Sequence, residues 1–108
     1  MKKQNPKTFD EAAHIVANEI ADLLTMKNQD YGAGTFGEFG EMGVLIRAND
    51  KTQRLKHLLS SKKNPHYEAT SDSWRDLAGY AMLAIMIRRG WFKLPLPPPM
   101  ELISERRN

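Results

Sequence analysis

Apolar residues in this chain recur every three to four positions in three blocks, and nowhere do they alternate at period two long enough to build a sheet. That pattern confines the chain to an all-α fold. The first block, Ala12, Ile15, Val16, Ile20, Leu23 and Leu24, follows a capping box formed by Thr8 and Glu11 and predicts a helix over about 9–27. The second predicts a helix over about 36–59, with Val44, Leu45, Ala48, Leu55 and Leu59 as its inward stripe. Between them lies K-N-Q-D-Y-G-A-G-T-F-G, where three glycines oppose a stable helix and predict turns. The third helix, capped by Ser71 or Thr70, should end near Gly90, after Arg88 and Arg89, whose charge suits a helix C-terminus. Pro65 blocks any continuation from the second helix into the third.

Gly90 to Met100, G-W-F-K-L-P-L-P-P-P-M, cannot be helical and reads as an extended tail laid on the domain. Trp91 and Phe92 are expected to cover the core, with Leu94 and Leu96 beside them. The reading is a single domain of 108 residues, with a core over about 9–90 and the tail over 91–108. Three helices bury little by themselves, and the all-round apolar stretch Leu77 to Ile87 exceeds what one partner helix covers. A bundle completed by homodimerisation, or by a higher homo-oligomer, would satisfy both.

Composition narrows the function classes. There is no cysteine, which removes disulfides and thiolate metal sites. His14, His57 and His66 lack zinc-ligand spacing and are read as surface or loop residues. The basic N-terminus leads into an amphipathic segment, not an apolar signal region. The longest apolar run, A-M-L-A-I-M-I, is far short of a membrane span. No membrane role and a cytoplasmic location are therefore expected. The formal charge is +3, with positive side chains clustered at 62–63, 88–89 and 106–107 and at Arg47, Lys51 and Arg54. Such clusters attract phosphates, on nucleotides or on nucleic acid.

The carboxylates carry the chemistry. Asp72 and Asp76 stand one turn apart in S-D-S-W-R-D-L-A-G-Y-A, and the spacing predicts that they share a stripe with Gly79, Tyr80, Leu83 and Ile87. A buried carboxylate is costly without a compensating cation or donors. Glu38 and Glu41 form E-x-x-E on the second helix, beside Leu45 and Ala48. Four such carboxylates converging in a dry site would need divalent cations, and Mg²⁺ combines oxygen ligands with phosphate binding. On the second helix Arg47, Lys51 and Arg54 are candidates to neutralise phosphates, with Asp50 orienting one of them or joining the acidic cluster. G-A-G-T-F-G at 32–37 matches a dinucleotide-binding fingerprint only by letter, since no strand precedes it.

Three ordered blocks, K-N-Q-D-Y-G (27–32), G-V-L-I-R-A-N-D-K-T-Q-R-L (43–55) and S-D-S-W-R-D-L-A-G-Y-A (71–81), resemble the phage and bacterial nucleotide modification associated domain 1 family. That family is related to the MazG-like all-α nucleoside triphosphate pyrophosphohydrolases. The resemblance spans about residues 9–90. It implies Mg²⁺ held by E-x-x-E on one helix and E-x-x-D on the next. Glu38 and Glu41 match the first element. Ser73 stands where the second element's glutamate would be, which leaves Asp72 and Asp76. The resemblance also draws Lys27, Asp30 and Tyr31 into a loop bordering the nucleotide pocket.

The expectation is thus a Mg²⁺-dependent hydrolase that converts a nucleoside triphosphate to the monophosphate and pyrophosphate. Glu38, Glu41, Asp72 and Asp76 would hold metal, and Lys27, Asp30, Tyr31, Arg47, Asp50, Lys51 and Arg54 would bind substrate. Tyr31 or Trp74 could stack on the base, although Trp74 reads more readily as core. Two rivals stand beside it: a non-catalytic nucleotide-binding protein of the same fold, and a small basic protein that binds nucleic acid or a host protein.

Overall fold

The computed structural model describes residues 5–31, 40–61 and 67–96, without the side chains of 29–31 and 67–68. Its elements are three helices, α1 (Phe9–Tyr31), α2 (Gly40–Ser60) and α3 (Tyr67–Arg88), with no strand among the described residues. The all-α reading holds.

The capping box forms in a shifted way. The Glu11 amide donates to the Thr8 hydroxyl at 3.3 Å, while the Glu11 carboxylate accepts from the Lys7 amide at 2.8 Å, one residue ahead of the cap. Both bonds satisfy amides around the start of α1 that the helix itself leaves unbonded. At its other end α1 runs on through Lys27 to Tyr31, where turns were expected. Lys and Gln are good helix formers, Asn, Asp and Tyr are tolerated, and the first glycine of that stretch comes only after Tyr31. The helix α3 likewise begins earlier than expected, at Tyr67, so Thr70 and Ser71 lie inside it and do not cap it.

At its C-terminus α3 closes as the charge pattern predicts. Gly90 adopts a left-handed φ of 75°, its amide donates to the Ile87 carbonyl at 3.1 Å, and the Trp91 amide donates to the Met86 carbonyl at 2.9 Å. This pair of bonds is a Schellman cap, and its left-handed residue favours glycine. The cap turns the chain back, so that residues 91–96 run over the ends of α1 and α3 as a short strap.

Two ion pairs fix the helix directions. Glu41 near the start of α2 meets Arg88 at the end of α3, and Lys51 in mid-α2 meets Asp76 in the first half of α3. The helices α2 and α3 are therefore antiparallel. The third helix is central: α2 packs along it extensively and α1 more sparingly, and among the described residues the α1 and α2 backbones do not approach each other.

Val44, Leu83 and Phe92 form the buried cluster, with Leu24, Tyr80, Ala84 and Ile87 packed against it. Phe92 thus covers the core as expected, whereas Trp91 stays about half exposed. Several expected core positions face outward. Leu45 and Leu59 are 61% and 64% exposed, and Trp74 is 52% exposed. On α2 the inward stripe narrows to Val44 and Leu55. No described helix is long and apolar enough to cross a membrane.

Candidate functional site

The stripe that α3 turns inward contains one of the two aspartates, not both. Ser73 is 2% exposed and donates its hydroxyl to the Ala69 carbonyl at 2.8 Å. Ser73, Tyr80 and Ile87 are seven apart, near two helical turns, whereas Asp72 is eight from Tyr80 and rotates off the face. Asp72 accordingly points to solvent, 70% exposed, and accepts from Arg75 of its own helix at 3.1 Å. The expectation that Asp72 shares the buried stripe is corrected by this rotation.

Asp76 is the acid that goes in, with its side chain 14% exposed. Lys27 from α1 donates to its Oδ1 at 2.7 Å, and Lys51 from α2 lies 3.0 Å from its Oδ2. One carboxylate therefore ties all three helices at one point. Burial alone would raise its pKa, but the hydrogen bonds and charges of Lys27 and Lys51 outweigh that and hold the carboxyl below its usual value. The local balance is two positive charges to one negative. A phosphoryl group, with several oxygens on one centre, is the kind of anion that could engage the same two ammonium groups.

Beside this bridge lies a small cavity between α1 and α3, lined by Ile20, Leu23, Leu24, Asp76, Gly79 and Tyr80, with Lys27 and Arg75 at its edge. Its volume of about 30 Å³ is that of one water molecule. A base does not fit there, so what Lys27 and Lys51 could take is a phosphate lying across them.

The remaining expected site residues divide clearly. Lys27, Lys51 and Asp76 come together. Asp50, Arg47 and Arg54 share the exposed side of α2, on the same stretch of helix as Lys51. Asp30 and Tyr31 continue α1 beyond Lys27, but their side chains lie outside the described residues, as does all of Glu38. Glu41 pairs with Arg88 at 3.0 Å, with the glutamate nearly half exposed and the arginine mostly so. It stands ten residues, or about 15 Å, from Lys51 along α2. The described residues do not bring Glu41 together with Asp72 and Asp76.

That separation bears on a resident Mg²⁺. The ion takes oxygen ligands in a near-ideal octahedron at about 2.0–2.1 Å. On Asp76 it would sit beside two ammonium groups already engaged with that carboxylate, and Glu41 is too distant to assist. Among the described residues no three acidic or histidine side chains gather as a metal-binding group. The described residues, which do not include Glu38, do not assemble a four-carboxylate centre. Their arrangement leaves room for a different delivery, in which Mg²⁺ arrives bound to substrate phosphates and meets one carboxylate.

The sequence signal for Lys27 as a partner of Asp76 was weak, since 49 residues separate them and nothing local links them. No family model, no curated protein and no solved structure matches this chain.

Proposed function

We propose that this chain binds the magnesium complex of a nucleoside triphosphate and hydrolyses it to the monophosphate and pyrophosphate. The observation that carries the reading is the bridge of Lys27 and Lys51 across Asp76, which gathers two cations from different helices at one partly sheltered point. Ammonium groups there hold the phosphate chain, and Arg47 and Arg54 on the exposed side of α2 add positive field. Mg²⁺ is part of the substrate in this scheme and supplies charge neutralisation on the phosphates. Water bonds to the α-phosphorus, the bond from that phosphorus to the bridging oxygen breaks, and pyrophosphate departs. The water's proton passes to a carboxylate; Asp72, one turn from the bridge along α3, points to solvent and pairs with Arg75, so it would take that proton only after leaving Arg75 and turning toward the bridge. The resemblance of the three sequence blocks supports the choice of nucleotide, and a cytoplasmic setting in a bacterial or phage-infected cell goes with it.

A second reading is favoured by one observation: Asp76 and Glu41 are each engaged by cations of the chain itself. A protein that binds nucleotide without turning it over would look like this. Pyrophosphate release across a nucleotide panel with Mg²⁺, read beside melting shifts with the same ligands, separates the two. Shifts with release support hydrolysis, and shifts without release support binding alone. If no triphosphate moves the melting temperature while DNA does, both readings fall. Glu41→Gln adds a finer test, since lost turnover at unchanged stability would put Glu41 in the working centre despite its distance.

The same proposal includes a homodimer. Among the described residues only Ile20, Val44, Leu55, Leu83 and Phe92 form the buried apolar core. Meanwhile Phe9, Met42, Leu45 and Ile46 are 90%, 63%, 61% and 59% exposed. Exposed apolar side chains of this kind are what a second copy of the chain would cover. Light scattering at micromolar concentration should give twice the chain mass, and a stable monomer would refute this part.

A further inference from the structure

The interior of α3 holds a glycine that neither backbone nor packing requires. Gly79 keeps a helical backbone, since positive φ among the described glycines occurs only at Gly40 and Gly90. A Cβ built on it would meet no atom within 4 Å among the described residues. Glycine there weakens a helix that alanine would strengthen. What the missing side chain leaves is open surface. Helical side chains lean toward the N-terminus, so the bare patch lies over the preceding turn, at Arg75 and Asp76. Gly79 lines the small cavity together with those two residues, Lys27 and Tyr80.

Arg75 borders that patch and is loosely held. Its Nη1 donates to Asp72 Oδ1 at 3.1 Å, with the two side chains 45% and 70% exposed. An ion pair so open to water, between neighbours on one helix, contributes little and exchanges readily. It also uses one of the five N–H donors that a guanidinium carries. Lys27 reaches the same cavity from α1. Two cations from different helices thus flank the open surface over Gly79.

We propose that Arg75 is a third phosphate-binding cation, which leaves Asp72 to clasp a phosphoryl group seated over Gly79 beside the one on Lys27 and Lys51. The inference deepens the triphosphate reading and rests on it for the ligand. A guanidinium fork binds two phosphate oxygens at once, which an ammonium does not, so Arg75 orients the chain as well as neutralising it. The site then grips two linked phosphoryl groups, one across the lysines and one between Lys27 and Arg75. A single phosphoryl group fills half of it, which favours linked phosphates over orthophosphate. The exchange has a second effect. A phosphate that draws Arg75 away releases the Asp72 carboxylate, the condition for it to take the proton of the attacking water.

The test measures tripolyphosphate binding by calorimetry in wild type, Arg75→Met, Gly79→Ala and Asp72→Asn, with melting of each ligand-free protein alongside. Arg75→Met should weaken binding about tenfold, the worth of a hydrogen bond to a charged group, and leave melting near wild type. Arg88→Met removes the same charge about 20 Å away along α3 and should change binding by less than about twofold. Gly79→Ala should melt above wild type while binding tripolyphosphate several-fold more weakly, opposite signs that a merely structural glycine would not give. Asp72→Asn frees Arg75 and should tighten binding about two- to fivefold, the worth of an exposed ion pair. In the Arg75→Met background that gain should fall by more than half. Arg75→Met that binds like wild type, while Lys27→Met loses affinity, overturns the role of Arg75 and leaves the lysine bridge standing. Unchanged affinity in Gly79→Ala overturns the seat over Gly79. If wild type has no affinity for tripolyphosphate, the bridge fails and this inference falls with it.

Discussion

Replacing Asp76 by asparagine isolates the bridge from every other feature of the fold. The side chain keeps its shape and loses its charge, leaving Lys27 and Lys51 facing one another across a neutral amide. Both lysines are about one-third exposed, at 38% and 30%, against 14% for the aspartate. Screening therefore limits each pair to about 1 kcal/mol, toward the upper end for ion pairs near a surface. Two pairs make about 2 kcal/mol. A domain of about 100 residues loses roughly 4–5 °C per kcal/mol, so melting should fall by about 8–10 °C. Circular dichroism measures this directly, and about 1 M salt should narrow the gap between variant and wild type. A double-mutant cycle of Asp76→Asn with Lys51→Met should return a coupling near 1 kcal/mol. The variant also separates the bridge from a metal-ligand role. With its internal counter-ion gone, the lysine pair should bind tripolyphosphate several-fold more tightly, by the electrostatics of removing one competing anion. Melting within about 2 °C of wild type, or weaker tripolyphosphate binding, would refute the reasoning.

Three other outcomes follow from the same geometry. Because the Asp76 pKa lies below the ordinary aspartate value of 3.8, its contribution is fully present above that pH and is lost as pH falls through the folded value. Acid unfolding followed below pH ~4 should therefore be shallower in Asp76→Asn than in wild type. Ser73→Glu, which would place a glutamate at the position the E-x-x-D motif of the MazG-like enzymes would give one, should destabilise by about 3 kcal/mol or more, because the site is 2% exposed and has a helix carbonyl as its partner. Near-normal melting of that variant would show that the position opens readily to water. Arg88→Met should cost under about 0.5 kcal/mol in a urea titration, since its pair with Glu41 is 74% and 46% exposed.

The helices were legible in the sequence because period and punctuation agree there. Thr8 with Glu11 marked one start, and Gly90 after two arginines marked the last end. What failed was local punctuation without packing. The turn reading of Lys27 to Tyr31 gave the downstream glycines more weight than the residues themselves, and the helix continues. Thr70 and Ser71 look like caps, yet α3 was already under way at Tyr67. The site was half legible. A carboxylate on an apolar stripe correctly demanded a cation, but the stripe runs through Ser73 and Asp76, and the compensating charge is two lysines. Counting sevens back from Ile87 and Tyr80 would have found Ser73. The Lys27 partnership depends on how α1 docks against α3, which no local pattern encodes. Exposure of Trp74, Leu45 and Leu59 has a similar origin, since periodicity gives a face its direction but not the neighbour that covers it.

The central place of α3 also orders assembly. The α2–α3 hairpin closes over a short sequence separation and makes the richer set of contacts, so contact order predicts that it forms first. By contrast α1 docks by a thinner seam and a salt link reaching back 49 residues. In hydrogen exchange α1 should be the first helix to shed protection, opening as its own unit while the hairpin persists. Because Lys27 travels with it, each such opening would dismantle the bridge before the rest of the molecule gives way.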